Sequence, residues 1–531
     1  MALRILKIIG LSLFFVSCFT TTFFVGHLAN SPDESANYLF ASQIANGNAM
    51  RFSEPLEASL GNLIHPRSMV AVGEFIVPGS FLGLPVLAGI MGIGWKDGVY
   101  LLTPLLAVLA ILAWRSFVKN LFANELLADL SAFFLAIHPA FWYYAGRPMM
   151  HNVGFLAFLI FAVWAIGVRP IKEKWTILNF VLGGVCLAWA LAFRTAEAVW
   201  VLPIALAILA VIWKKHVISW KQLLGVVVGF VIVIPPFLWL NNSLYGSPWL
   251  TGYTMPSTSV VTSDAPAVAV SVITKIASLV FPFGIHEMNI LQNGWSYGFL
   301  LYPILTLLAL LGIGLVFARW KQETATWRFL LIIGGLILAW LLVVYGSWKF
   351  NDNPDPLVLT IGNSYVRYWL PIFAIASVFV AKAVQWISDV PFPRVKIGIS
   401  VAIMGVCIGA SAFTVFGGTD GFLAIRTHLA ESAQKKEAVL KATPSDAMII
   451  TDYGDKYLFP DRRVVVPLRS DATYAMLRNL VDAAPVYYFG LTLPDGDVDY
   501  LNTTILGPQG IILDRSITIL DETLYKLRDM R

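Results

Sequence analysis

The feature that most constrains this chain is the recurrence of apolar runs about as long as a lipid bilayer is thick. A helix rises about 1.5 Å per residue, so about 20 apolar residues cover the hydrocarbon core. Such runs occupy residues 8–27, 98–115, 125–144, 153–168, 176–193, 198–213, 221–240, 298–318, 328–347, 366–387 and 395–416. Inside hydrocarbon every backbone N–H and C=O must be paired within its own segment, so each run is predicted to be a helix. Composition agrees. Of 531 residues, 58% are hydrophobic and 13% charged, and the mean hydropathy is +0.73, which excludes an ordinary soluble domain. The eighteen Trp and eighteen Tyr suit a chain with many water–lipid interfaces. A net charge of +5 without a long basic run gives no footprint for nucleic acid. Cys18, Cys186 and Cys407 all lie in apolar runs and form neither a disulfide framework nor a metal cluster. The first run lacks a small-residue cleavage site before Asp33, so it is predicted to be a retained helix rather than a signal peptide.

Charge sets the expected topology, because cytoplasmic loops collect Lys and Arg. With the N-terminus, 115–124, 168–175, 213–221, 318–328 and 388–396 on the cytoplasmic side, those segments and adjoining helix ends hold sixteen Lys and Arg, against eight in the longer outer segments before residue 417. This requires that the Gly- and Pro-rich stretch FIVPGSFLGLPVLAGIMGIG, 75–94, not cross fully. The count is then eleven spans, with the C-terminus outside; twelve would place the basic clusters outside. The expected fold is an all-α polytopic membrane domain, 1–416, with outer loops 28–97 and 241–297. ITKIASLVF, 273–281, is expected to lie along the membrane surface. Residues 417–531 are more polar. AMIIT, RVVVPL and PVYYF have strand character, and QKKEAVLKA and ATYAMLRNLV helix character, so a small extracytoplasmic α/β domain is expected there.

On this topology polar residues gather at the outer helix ends. They are Asp33 and Glu34; His65 and Arg67; Arg147, His151 and Asn152; Arg194 and Glu197; Tyr253; His286 and Glu287; and Arg367. Ionisable groups at membrane depth are costly and mark functional sites. Each also has a plainer role. Asp33 and Glu34 follow Ser31-Pro32 and suit the first turn of a helix. A lone arginine near a helix end snorkels to lipid headgroups. Glu197 is three residues after Arg194 and within pairing distance on a helix. His65, His286 and Glu287 are metal-ligating types without ligand spacing, so a divalent metal is the less favoured alternative and no metal residue is assigned. The set as a whole has a chemical logic. Arginine forks grip phosphate with paired, charge-assisted hydrogen bonds, and a carboxylate beside a hydroxyl takes its proton. Together at the edge of lipid they suit transfer from a lipid-linked phosphate to a hydroxyl.

Four stretches carry a family resemblance: PDESANYLFASQIANG, LYGSPWLTGY, WSYGFLLYPILTLLALLGI and VRYWLPIFAIASVF. In this order they resemble the GT-C glycosyltransferases, in particular the relatives of protein O-mannosyltransferases and aminoarabinose transferases, over about residues 30 to 416. The resemblance implies a polyprenyl-phosphate-linked sugar donor, a hydroxyl acceptor and an inverting transfer on the outer face of the bilayer. It maps the acidic motif to Asp33 and Glu34, with Asp33 as base, and donor-phosphate binding to Arg367, Arg147 and Arg194. His65, Arg67, His151, Asn152, Tyr253, His286, Glu287 and Tyr365 are the implied substrate contacts. Many members carry a second acid just after the position of Arg147, where this chain has His151-Asn152. Two other readings stand beside this one. A transporter or flippase of a lipid-linked sugar is expected to show inverted repeats, and none is visible. A non-catalytic scaffold of the same fold is the other.

Overall fold

The computed structural model describes residues 2–23, 28–167, 174–215, 217–255, 280–350, 352 and 358–531. In chain order the elements begin with α1 (Ala2–Phe23), α2 (Pro32–Ala45), β1 (Phe52–Ser53), β2 (Met69–Val72), β3 (Phe75–Pro78) and α3 (Gly83–Met91). The central series is α4 (Leu102–Phe122), α5 (Glu125–Ile137), α6 (Pro139–Ala145), α7 (His151–Gly167), α8 (Lys174–Phe193), α9 (Ala198–Lys214) and α10 (Trp220–Tyr245). Then come α11 (Glu287–Trp295), α12 (Pro303–Ala318), α13 (Ala325–Ser347), α14 (Ser364–Tyr368), α15 (Leu370–Ile387) and α16 (Pro393–Ala412). The last region holds α17 (Phe422–Ala442), β4 (Met448–Thr451), α18 (Asp455–Leu458), β5 (Arg463–Val465), α19 (Asp471–Ala483), β6 (Val486–Leu491), α20 (Asp495–Tyr500), β7 (Ile511–Ile519) and β8 (Glu522–Asp529). Contacts divide the chain into two compact units, Met1–Thr22, Tyr100–Pro235 and Ala267–Ala424, and Phe23–Val99, Pro236–Pro266 and Ile425–Arg531.

Every predicted run contains helix within the described residues. Among the described residues, six helices are long and apolar enough to cross a membrane, or up to eight if each of two bent pairs is one span; Lys7–Thr20, His151–Gly167 and Ile177–Phe193 are shorter apolar helices. The bends have local causes. Pro139 and Pro303 open helices at positions where their missing N–H costs nothing. The preceding His138, at φ −59 and ψ 122, cannot continue a helix, and the chain turns by 61° there. The turn before Pro303 is 100°, so the run predicted as one span at 298–318 begins as the end of the preceding helical segment. The run at 98–115 is shifted toward Phe122, which brings Lys119 into the last turn of α4, where a cation suits the helix carbonyls. Segment 75–94 is a strand followed by the nine-residue α3, far short of the bilayer core. The surface helix expected at 273–281 lies outside the described residues apart from its last two positions.

Helices in the first unit approach closely at glycines, as small residues permit. A Cβ at Gly184 would stand 2.0 Å from the Val226 oxygen, and one at Gly229 2.0 Å from the Val181 oxygen, which locks α8 to α10. Gly312 does the same for α12 against Phe379 of α15. All three cysteines are buried thiols outside any disulfide.

The second unit contains two sheets. One is antiparallel, in the order β1-β3-β2; the other has the order β5-β4-β6-β8-β7, parallel through β5, β4 and β6 and antiparallel beyond. The three predicted strands are β4, β5 and β6, and the two predicted helices fall in α17 and α19. The β7–β8 hairpin and the three-stranded sheet were not predicted. Of two apolar clusters in this unit, one joins Phe40 of α2, Ile76 and Val77 of β3, Tyr245 of α10 and Ile449 of β4, and the other joins Ile64, Met448 and Ile450 of β4, Leu477 of α19 and Tyr525 of β8.

Candidate active site

In the first unit the three arginines singled out from sequence lie at one end of the helices and are linked through two tyrosines. Arg147 follows α6, Arg194 follows α8 and Arg367 sits in α14. Tyr144 is buried beneath the guanidinium of Arg147, 5.9 Å from its ring centroid. Its hydroxyl is 3.0 Å from the Gly362 oxygen and 3.2 Å from the Asn363 oxygen, in the loop that leads to Arg367. The Met150 N–H closes a turn on the Arg147 carbonyl at 3.1 Å, and Arg367 Nη1 lies 3.1 Å from the Met150 sulfur. Arg367 also donates to Ser364 Oγ at 2.8 Å. The Tyr368 ring lies between the second and third arginines, 5.2 Å from the Arg367 guanidinium and 4.4 Å from that of Arg194. Guanidinium over an aromatic face is favourable and orients the planar fork.

Arg194 is not placed like the other two. Its Nε and Nη2 donate to Glu197 Oε1 at 2.9 and 2.7 Å, and Nη2 donates to the Tyr345 hydroxyl at 3.0 Å. Trp200 Nε1 donates to the other Glu197 oxygen. All of these groups are buried, and the i,i+3 spacing weighed from sequence is realised as an ion pair. The arginine charge there is matched by a carboxylate.

The other predicted positions in this unit are distributed around that row. His151 and Asn152 open α7 and are buried. Gly154, one turn on, lets the Phe193 ring approach to where a Cβ would be 2.2 Å away, which fixes the start of α7 against the end of α8. Tyr365 accepts from Asn293 Nδ2 at 2.9 Å and donates to the Trp348 oxygen, so it ties α14 to α11 and the end of α13. The His286 N–H donates to Ser347 Oγ at 3.2 Å, and Glu287 opens α11. Among the described residues, no three His, Cys, Asp or Glu side chains converge on a metal position. Asp352, which sequence reading did not single out, accepts from the Ser364 N–H at 2.7 Å.

The second unit separates the acidic pair. Ser31 caps α2, and Glu34 closes the capping box: Ser31 Oγ accepts from the Glu34 N–H at 3.3 Å, and Glu34 Oε2 accepts from the Ser31 N–H at 3.1 Å. Glu34 therefore carries the plainer role that its spacing allowed. Asp33 lies outside the box and accepts from Ser68 Oγ at 2.6 Å. Ser68 in turn sits under Gly79, whose N–H donates to the Ser68 oxygen at 3.0 Å. Gly252, the glycine of LTGY, packs on Gly79 so closely that a Cβ would be 2.3 Å from its carbonyl carbon. Tyr253 follows, its ring 4.8 Å from that of Phe81. Two of the stretches that carry the family resemblance thus meet around Asp33 through one glycine-on-glycine contact.

Arg67 and His65 do something else. The Arg67 fork closes on both oxygens of buried Asp455, with Nη2 at 2.6 Å and Nε at 3.1 Å, and its backbone N–H adds a third bond at 2.9 Å. His65 Nδ1 lies 3.0 Å from the Pro66 oxygen, and burial lowers its basicity below the ordinary 6.5. Arg67 is a staple between loop and α18, with its guanidinium engaged.

Sequence reading missed the partners Ser68, Tyr144 and Tyr368. The tyrosines carried a faint signal, an aromatic residue beside each arginine in YYAGR and VRYW. Ser68 carried none.

No protein-family model matches the sequence, and no curated protein does. Solved structures do match, and two of them are matched nearly throughout. The chain is similar to ArnT from Cupriavidus metallidurans in the apo state, with a TM-score of 0.52 and 12% identity over 99% of this chain and 98% of that one. It is similar to the same protein bound to undecaprenyl phosphate, with a TM-score of 0.53 and 11% identity over 98% and 97%. The chain therefore shares the fold of these two structures along nearly its whole length.

Proposed function

We propose that this chain, which shares the fold of a GT-C glycosyltransferase from end to end, is a membrane glycosyltransferase that moves a sugar from a polyprenyl-phosphate donor to a hydroxyl acceptor on the extracytoplasmic face. The observation that carries the reading is the near-complete match to a protein solved with undecaprenyl phosphate. The row of arginines supports it, because planar guanidinium forks gathered at one end of the helices suit a lipid phosphate.

In this reading Arg367 and Arg147 hold the donor phosphate and offset the charge that develops on it. Asp33, oriented by Ser68, takes the proton of the acceptor hydroxyl. The acceptor oxygen bonds to the anomeric carbon from the face opposite the phosphate, the bond from that carbon to the phosphate oxygen breaks, and polyprenyl phosphate leaves with the electron pair. The sugar is inverted. Arg194, through Glu197 and Tyr345, holds Tyr368 in place beneath Arg367. Residues 417–531 form the expected extracytoplasmic α/β domain in this reading.

The test is direct. Purified full-length protein is incubated with radiolabelled polyprenyl-phosphate sugars and membrane-extracted acceptors, and free polyprenyl phosphate is measured. Acceptor-dependent release is expected, with Arg367→Lys weaker than wild type because an ammonium has no fork. Sugar accumulation in sealed vesicles without release would overturn the assignment in favour of transport.

A further inference from the structure

At the end of the first unit opposite the arginine row, α1, α4, α5, α12, α15 and α16 line a half-open cavity of about 1270 Å³. That exceeds the roughly 300–1,000 Å³ of a drug-sized pocket. Its wall is apolar along most of its length, with Phe14, Ile137, Trp142 and Ile408 among the lining residues. Charge is confined to one end, where Lys7, Arg115, Arg319, Lys382 and Lys396 face three carboxylates, Asp129, Glu323 and Asp389.

Length sets the kind of occupant. Along α1 the lining runs from Lys7 to Ser17, which at about 1.5 Å per residue is about 15 Å, half of a hydrocarbon core about 30 Å thick. The cavity is one leaflet deep, apolar toward the bilayer centre and cationic toward the surface.

Charge sets its headgroup. Four of the five cations are paired: Lys7 and Arg115 with Asp129 at 2.7 and 2.5 Å, Lys382 with Glu323 at 2.6 Å, and Lys396 with Asp389 at 3.4 Å. Arg319, just past α12, makes no side-chain hydrogen bond or ion pair among the described residues. A second group points the same way. Gln385 lines the cavity, and its Nε2 is a buried donor with no partner among the described residues; a buried donor left unmade costs about 1–3 kcal/mol. An exposed cation at the charged end of a one-leaflet apolar cavity, with an unmet N–H donor just behind its wall that a side-chain rotation would bring to the surface, suits an anionic phosphate diester on acyl chains. Basic pockets between helices on the cytoplasmic side bind such headgroups.

We propose that this cavity binds one anionic glycerophospholipid, its phosphate held by Arg319 and Gln385 and its chains along the apolar wall. The site is separate from the proposed donor site and does not depend on it.

The test uses full-length protein delipidated in detergent, with dioleoyl-phosphatidylglycerol and dioleoyl-phosphatidylcholine as probes. Native mass spectrometry counts bound lipid, and brominated chains report proximity by quenching Trp142 and Trp386. One phosphatidylglycerol is expected to remain bound at energies that strip phosphatidylcholine, with a higher melting temperature. Arg319→Ala is expected to weaken phosphatidylglycerol binding at least fivefold. Gln385→Leu is expected to weaken it severalfold and serves if the arginine variant misfolds. Lys214→Ala, which removes a cation outside the cavity, is expected to change nothing. Equal retention of the two lipids, retention of neither, or unchanged binding in both cavity variants overturns the proposal.

Discussion

Ser68 donates its hydroxyl to Asp33 at 2.6 Å, while the neighbouring Glu34 is turned back onto the Ser31 N–H. Two adjacent carboxylates thus have different jobs. Asp33→Asn should keep the Ser68 contact and the fold, yet lower turnover by about 100-fold or more, the usual scale for loss of a general base. Glu34→Gln preserves the capping box and should leave turnover within a few fold of wild type, whereas Glu34→Ala should cost about 1 kcal/mol of stability. Initial rates of polyprenyl phosphate release and melting curves separate the two effects. Full activity in Asp33→Asn would remove that residue from the mechanism.

Asp455 is fully buried and Arg67 closes on it bidentately, with 35% of the arginine side chain exposed. Removing one partner of a fully buried pair costs about 3–5 kcal/mol; the partial exposure of Arg67 places this pair lower, at about 2–3 kcal/mol. Asp455→Ala should therefore destabilise, and should destabilise less in an Arg67→Leu background. Limited proteolysis of the 425–531 region across the double-mutant cycle measures the coupling. Additive effects would show that the staple is not a coupled pair.

Glu57 is buried, and burial is the main reason that its carboxyl rises from 4.5 to about 7; the hydrogen bond from the Ile64 N–H opposes the rise and Glu54 adds to it. Below pH 4.5 the group is protonated in both folded and unfolded chains. Between 4.5 and 7 the unfolded chain loses the proton first, so stability falls as pH rises and levels off above 7. Glu57→Gln should remove that part of the decline. Melting temperatures of both proteins from pH 4.5 to 8 test this, and parallel curves would show that Glu57 is not the source.

Gly252 and Gly79 touch where no side chain fits. Gly252→Ala should cost about 1–3 kcal/mol by overpacking and, by displacing Gly79 and Ser68, should lower turnover as well. Gly405→Ala, at a helical position with nothing within 4 Å, is the control and should be neutral or stabilising. Thermal stability and turnover measured together decide this, and an unaffected Gly252→Ala would show that the contact is dispensable.

The helical runs, the three parallel strands and the acids and arginines were legible because each depends on local sequence. A membrane forces any 20-residue apolar stretch to pair its own backbone, and a strand in a parallel sheet is a short apolar run. The β7–β8 hairpin and the small three-stranded sheet were not legible. The strands of the small sheet are only two to four residues long, too short for a period to emerge, and in the hairpin the irregularity between Arg515 and Ile517 breaks the alternation along β7.

The chain's residue order by itself determined that it is a multi-pass membrane protein and which ionisable groups are costly enough to require a partner. Only the tertiary structure decided which partner each one found. Arg194 took Glu197, Arg67 took Asp455 across 388 residues, Glu34 took its own helix start, and Arg147 and Arg367 came together around Tyr144. The reason is physical. The hydrophobic run is set by the solvent that each segment meets, whereas a buried charge is satisfied by whichever group packing brings within 3 Å, and packing is a property of the folded whole.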